Sequence, residues 1–255
     1  MNNTAVVFCT YPRSLSGGFY SNFVKYKDEG FKNLFVLFDD QNKEWELPYE
    51  VNTMTYNSGD FDPLNFNRPI DIKHRWGNHQ KPNYFYAHFR MLLFYLKNPS
   101  LDYYWFFDDD VYFDANLKPF LSEYENHKED FLAIQVFAKD NYKEFPFVDK
   151  ANERMGSHGH WLDFAPGPGD NYKSTSRHMG CFFPIVRYSN QAMKHLLSLN
   201  EQGYYGYSEG FVPTALASDG FSVASMLNEQ DEYCIKPSTK CTLTHKADSF
   251  TWTWI

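Results

Sequence analysis

Apolar residues along this chain come in two rhythms, short continuous runs and helical repeats, and the two alternate. The run AVVFCTY at 5–11 stops at Pro12 and suits a strand buried on both faces. SLSGGFYSNFVKYKDEG then reads as a glycine-containing turn and a short amphipathic helix. NLFVLFDD at 33–40 is a second buried strand ending on Asp39 and Asp40, and VNTMTYN at 51–57 a third. From Pro82 to Lys97 the spacing turns helical, with Phe85, Phe89, Leu92, Leu93 and Leu96 on one predicted face, and NPS at 98–100 ends it. DYYWFF at 102–107 is the fourth strand and FLAIQVF at 131–137 the fifth. CFFPIVRYS at 181–189 is the sixth, with Pro184 marking it as an edge strand or a bulge. A helix follows at 189–202, presenting Met193, Leu196, Leu197 and Asn200 and stopped by Gly203.

Strand–helix alternation of this kind predicts one α/β domain, a doubly wound, mostly parallel sheet flanked by helices. The stretch 138–180, with GSHGH and APGPGD, has little periodicity and is too long for an ordinary connection; it reads as a functional loop region or a mobile lid. There are no internal repeats.

Composition narrows the class. At 255 residues the chain has enough length for a full core. Aromatic residues make up 20%, including 25 Phe and 19 Tyr, a surplus that suits surfaces holding flat rings such as bases or sugars. A net charge of −8 argues against nucleic acid or an anionic membrane as the main partner. No apolar run approaches the roughly 20 residues of a membrane span, and the first residues read as a strand rather than a signal peptide. The four cysteines, Cys9, Cys181, Cys234 and Cys241, show no CxxC spacing. Free thiols in a reducing cytoplasm are the expectation, with peripheral membrane attachment and a Cys234–Cys241 bridge left open.

The fourth strand ends in Asp108, Asp109 and Asp110, and adjacent like charges gain nothing in stability. Side chains alternate along a strand, so Asp108 and Asp110 share a face while Asp109 points the other way. At the carboxyl edge of a parallel sheet such a pair opens into the crevice where α/β proteins bind ligands, and its oxygens suit Mg²⁺ or Mn²⁺ bridging phosphates. A solvated acidic loop is the plainer alternative.

YWFFDDDVYF resembles the DxD element of nucleotide-sugar glycosyltransferases with the GT-A fold. The resemblance implies that Asp108 contacts the nucleotide ribose, or the metal indirectly, and that Asp110 ligates the metal on the diphosphate. In CTLTHKAD, His245 matches the C-terminal histidine that many such enzymes add as a metal ligand; an exposed tail histidine is the alternative. GYYGYSEGFVPTALASDG resembles the acceptor-side motif of core-2-type branching enzymes and xylosyltransferases, which implies Glu209 as catalytic base. The order of elements from about 80 to 225 is also similar to fungal Golgi mannosyltransferases. Glu209 can equally serve as a charge complementing a helix N-terminus. Asp219 reads first as a turn residue and only then as a second base.

Topology assigns the donor side to Tyr11, Arg13 and Asp39 at the first two strand ends, with Asp109 beside them and Arg90 placed to neutralise phosphate charge. Trp161 and Tyr205 are candidate sugar-stacking aromatics on the acceptor side. Residues 1–114 thus form a nucleotide-binding half and 115–255 an acceptor-binding half. The expected activity is metal-dependent transfer, inverting in preference to retaining, of a sugar from a nucleoside diphosphate donor to a glycan hydroxyl. A metal-dependent phosphohydrolase or nucleotidyltransferase would use the same acidic triplet but needs further carboxylates at neighbouring strand ends, and Asp39 and Asp40 are the obvious pair. A non-catalytic glycan- or nucleotide-binding protein is the reading if the Glu209 region is buried and closed. Donor, acceptor and oligomeric state are not written in the sequence.

Overall fold

A computed structural model describes residues 3–10, 18–39, 52–61, 64, 87–108, 111–113, 116–138, 179–204, 206, 208–226, 242–245 and 250–253. In chain order the elements are β1 (Thr4–Thr10), α1 (Gly18–Asp28), β2 (Leu34–Asp39), β3 (Asn52–Tyr56) and a 3-10 turn at Ser58–Phe61. There follow α2 (Ala87–Lys97), β4 (Tyr103–Asp108), β5 (Val111–Phe113), α3 (Leu117–Glu123), β6 (Phe131–Ala138) and β7 (Met179–Ser189). The last are α4 (Asn190–Glu201), α5 (Ser208–Ser218), β8 (Val223–Ser225), β9 (Thr242–His245) and β10 (Phe250–Thr253).

Seven strands form one sheet in the order β3-β2-β1-β4-β7-β6-β8. Strands β3, β2, β1 and β4 run parallel, as do β6 and β8, and β7 alone is antiparallel to its neighbours. A small antiparallel sheet, β10-β9-β5, lies beside it. The α/β, mostly parallel expectation is met.

Period-two alternation decides which core each strand residue joins. Ala5, Val7 and Cys9 of β1, with Tyr104 and Phe106 of β4, face a core closed by α2, α4 and α5. Val6 and Phe8, with Trp105 and Phe107, face the opposite core, closed by Phe23 and Tyr26 of α1 and by Leu117, Phe120 and Leu121 of α3. Helices cover both faces, which is why the strand sequences read as continuous apolar runs.

The helix ends follow ordinary capping rules. Ser189 caps α4 by accepting the Ala192 N–H at 3.1 Å. Gly203, at φ 87°, takes the left-handed turn that ends it. The α3 N-terminus is capped from afar: Glu29 accepts the N–H groups of Leu117 at 2.9 Å and Lys118 at 2.7 Å.

Two sequence expectations need correction. Leu96 is 43% exposed, whereas Met91, Phe94 and Tyr95, outside the predicted stripe, are buried. Helix α2 is wedged between the sheet and helices α4 and α5, so its central turns are covered nearly all round and only the last turn emerges. Pro184 does not mark an edge: β7 lies between β4 and β6 with all eleven residues buried. It is tolerated because the ladder breaks there. Ala133 pairs Val186 and Gln135 pairs Phe182, leaving Phe183, Pro184 and Ile185 across from Ile134 alone, so the bulge expectation is the correct half.

Candidate active site at the carboxyl edge of the sheet

The chain lays down β1, β2 and β3 in one direction and then crosses back to place β4 on the other side of β1. Adjacent parallel strands whose connections leave in opposite directions open a crevice at their carboxyl ends. Here that switch point is the pair Cys9↔Asp108, at the ends of β1 and β4. The first aspartate of the acidic triplet therefore stands where the topology alone would place a ligand.

Four predicted site residues converge on this edge, on the face covered by α2 and α5. Arg90 on α2 donates through Nη2 to Asp108 Oδ1, with side-chain exposures of 12% and 26%. Asp39, buried at the end of β2, is paired in register with Tyr56 at the end of β3. Burial lifts the Tyr56 phenol far above its ordinary pKa; Arg90 opposes this by charge and a hydrogen bond, while Asp39 and Cys9 add to it. Glu209 sits in the first turn of α5, partly exposed, next to the buried Ser208 and Gly210. The Cys181 thiol on β7, the strand beside β4, is raised first by burial and then by the charge of Glu209, whose helix packs on β7. Tyr188, raised by burial and then by Cys181 and Cys9, also senses Arg90 and Asp108 from below.

Glu209 is partly exposed while Ser208, Gly210 and Phe211 beside it are buried, and its first-turn position also fits the helix-dipole alternative. Asp219, read first as a turn residue, stands apart from Glu209. It lies at the other end of α5, its Oδ2 2.7 Å from His195 Nε2, where β8 begins rather than ends. The helix between them runs Ser208–Ser218, so Glu209 and Asp219 lie about 15 Å apart along its axis.

His245 lies on β9, directly across from Val111, so the backbone brings it level with the residue after Asp110. Tyr11, Arg13, Asp109, Asp110, Trp161 and Tyr205 lie outside the described residues, as do Asp40, Cys234 and Cys241. Among the described residues no three ligating side chains form a cluster by themselves. Of the residues expected to hold a cation, the structure describes Asp108, whose carboxylate accepts from Arg90, and the backbone of the strand carrying His245. Carboxylate oxygens with one imidazole are the donor types that suit Mn²⁺ or Mg²⁺.

Sequence reasoning missed Tyr56, His88, Cys181, Tyr188 and Ser208. His88 is 3% exposed, its Nδ1 lies 2.8 Å from Ser208 Oγ, and burial depresses its pKa to about 3. A lone histidine in an apolar helix reads as packing, and nothing in the chain pattern pairs it with residue 208. Tyr56 was accessible in principle, as the last residue of the strand beside Asp39.

Cys9 and Cys181 are buried thiols rather than a disulfide. No helix among the described residues is long and apolar enough to cross a membrane.

The fold and edge define a doubly wound α/β protein whose switch point carries the Arg90–Asp108 pair. No known protein family matches the sequence, and no curated protein matches it. Solved structures resemble it at 10% identity. Mouse xyloside xylosyltransferase 1, in its apo form, has a TM-score of 0.42 over 88% of this chain and 85% of that one. A putative glucose-1-phosphate thymidylyltransferase from Bacillus anthracis, in complex with sucrose, gives 0.44 over 88% and 87%. Galactosyltransferase LgtC, in complex with donor and acceptor sugar analogs, gives 0.43 over 86% and 73%. Likeness at these scores says nothing about substrate or chemistry.

Proposed function

We propose that the protein is a metal-dependent glycosyltransferase that moves a sugar from a nucleoside diphosphate to a glycan hydroxyl. The observation that carries this is the register Cys9↔Asp108, which sets the first aspartate of the Asp-x-Asp sequence at the switch point, bonded to Arg90, with the helix of Glu209 packed on the next strand. An edge holding Asp39, Asp108 and Glu209 repels a diphosphate unless cations intervene. Asp108, Asp110 and His245 would hold Mn²⁺ or Mg²⁺, which when bound supplies charge neutralisation for the diphosphate oxygens.

The chain's own groups do the rest. Strands β1 to β4 and Arg90 form the nucleotide side, with Tyr11, Arg13, Asp39 and Asp109 assigned to the donor. Helix α5, with Trp161 and Tyr205, forms the acceptor side. Glu209 takes the proton of the acceptor hydroxyl as its oxygen bonds to the anomeric carbon, and the bond from that carbon to the diphosphate oxygen breaks on the opposite face. That geometry inverts the anomeric centre. The electron pair leaves with the nucleoside diphosphate, whose charge Arg90 helps to offset. Buried thiols at Cys9 and Cys181 support a reducing compartment such as the cytoplasm.

Two-metal phosphoryl chemistry fits less well. It needs further carboxylates beside the acidic triplet, and Asp39 on β2 is separated from Asp108 on β4 by β1. The test is a panel of UDP- and GDP-sugars with Mn²⁺ and mixed glycan acceptors, reading the released product. Nucleoside diphosphate, released faster with acceptor, is the expected result. Inorganic phosphate or pyrophosphate would establish the phosphohydrolase or nucleotidyltransferase instead.

A further inference from the structure

Glu209 stands on a helix whose first turn is incompletely held by its own backbone. Pro213, four residues on, has no N–H to give the Glu209 carbonyl, so the ordinary helical bond at that position is missing. The second turn is tied to β7: Thr214 Oγ1 accepts the Met179 N–H at 2.9 Å and donates to the Met179 carbonyl at 2.9 Å. The first turn is tied to α2 through Ser208, the residue before Glu209. Ser208 Oγ accepts the His88 backbone N–H at 3.2 Å and lies 2.8 Å from His88 Nδ1.

Both partners are buried, at 3% for His88 and 1% for Ser208. The imidazole is clamped by Phe89 and Phe211, at ring-centroid distances of 4.8 Å and 5.7 Å. In the Nε2–H tautomer Nδ1 accepts the serine proton, so the hydroxyl is engaged as donor and as acceptor and has one orientation. On the same helix, Arg90 is two residues from His88 and so about 200° around the axis. Helix α2 therefore reaches α5 with one side chain and Asp108 with the other.

We propose that the His88–Ser208 contact is a positioning device: it fixes the first turn of α5, and with it the Glu209 carboxylate, relative to Arg90 and Asp108. His88 is a positioning residue and touches no substrate. The inference rests on the reading of Glu209 as the base. It adds a mechanical link between the donor-binding and acceptor-binding sides that the sequence does not announce. A misplacement of about 1 Å at a reacting group costs on the order of 100-fold in rate.

The full chain is assayed as wild type, Ser208→Ala, His88→Asn and Glu209→Gln, with the UDP- and GDP-sugar panel and Mn²⁺. Ser208→Ala should lower kcat by about 10- to 100-fold with donor KM within about twofold. His88→Asn, whose amide can replace Nδ1 as partner, should recover kcat to within about fivefold of wild type. A merely structural contact would lower the melting temperature and leave kcat unchanged well below it. If Ser208→Ala does not fold, the same split is read on Ser208→Cys, whose thiol fills the space with a weaker hydrogen bond. Wild-type kcat in the serine variant, alongside an impaired Glu209→Gln, overturns the positioning role alone. No transfer by wild type with any donor overturns the reading of Glu209 as base, and the positioning role with it.

Discussion

The buried imidazole of His88 should make this fold sensitive to mild acid. Its pKa falls from 6.5 to about 3 because burial disfavours the charged form, and no charged neighbour contributes to that shift. Folded protein therefore keeps His88 neutral while the unfolded chain binds a proton below pH 6.5. The unfolded state then binds more protons, so stability falls as pH falls through this range, and the loss ends near pH 3 where folded His88 also protonates. Each pH unit below 6.5 costs about 1.4 kcal/mol, so the contribution lost between pH 7 and pH 5 is about 2 kcal/mol. Urea unfolding of wild type and His88→Asn at both pH values isolates it, because carboxylates titrate mostly lower and are common to both proteins. Wild type should lose about 2 kcal/mol more than the variant. Equal losses would refute the burial-driven shift, and with it the placement of a neutral ring against Ser208.

Glu209→Gln should lower turnover by on the order of 10² to 10⁴ while nucleoside diphosphate affinity survives; a helix-dipole role gives near-normal turnover and a stability loss of about 1 kcal/mol or less by melting. Asp110→Asn should remove most of the calorimetric binding of nucleoside diphosphate with Mn²⁺, and unchanged binding would eliminate the proposed metal site. Arg187→Met should destabilise by about 3 kcal/mol in urea without touching catalysis. That guanidinium, 2% exposed, donates to the carbonyls of Tyr124, His127 and Glu129 at the opposite edge and stacks 4.5 Å over Tyr103.

Strands with both faces buried announce themselves as apolar runs, so β1, β2, β4 and β6 were legible to within a residue or two. Direction is not written in such a run: nothing in CFFPIVRYS distinguishes the antiparallel β7 from its parallel neighbours, and of the edge or bulge that Pro184 suggested only the bulge is there. Strands β5, β9 and β10 are three or four residues long and depend on pairing with one another, which leaves too little periodicity to read. At the site, Asp108 and Arg90 could each be named from the sequence. Their ion pair could not, because it depends on α2 crossing the end of β4. His88 and Ser208, 120 positions apart, meet only through tertiary packing.

The carboxyl edge also explains why candidate chemistry clusters where regular periodicity stops. Six of the seven strands of the main sheet end there, and β7, the antiparallel one, begins there. Ala138 pairs with Met179, so the aperiodic stretch between them leaves and rejoins the sheet at the edge that holds Asp108. Thr10 ends β1 just before Tyr11 and Arg13, and Asp108 ends β4 just before Asp109 and Asp110. Ser208 opens α5 three residues after Tyr205. A doubly wound sheet brings the ends of its parallel strands, and the sequence that follows each of them, to one edge. Chemistry assigned from separate stretches of sequence thus has a shared physical cause. The rigid part is the apolar ladder beneath, and Arg90, Asp108, His88 and Ser208 are the points at which that ladder grips the site.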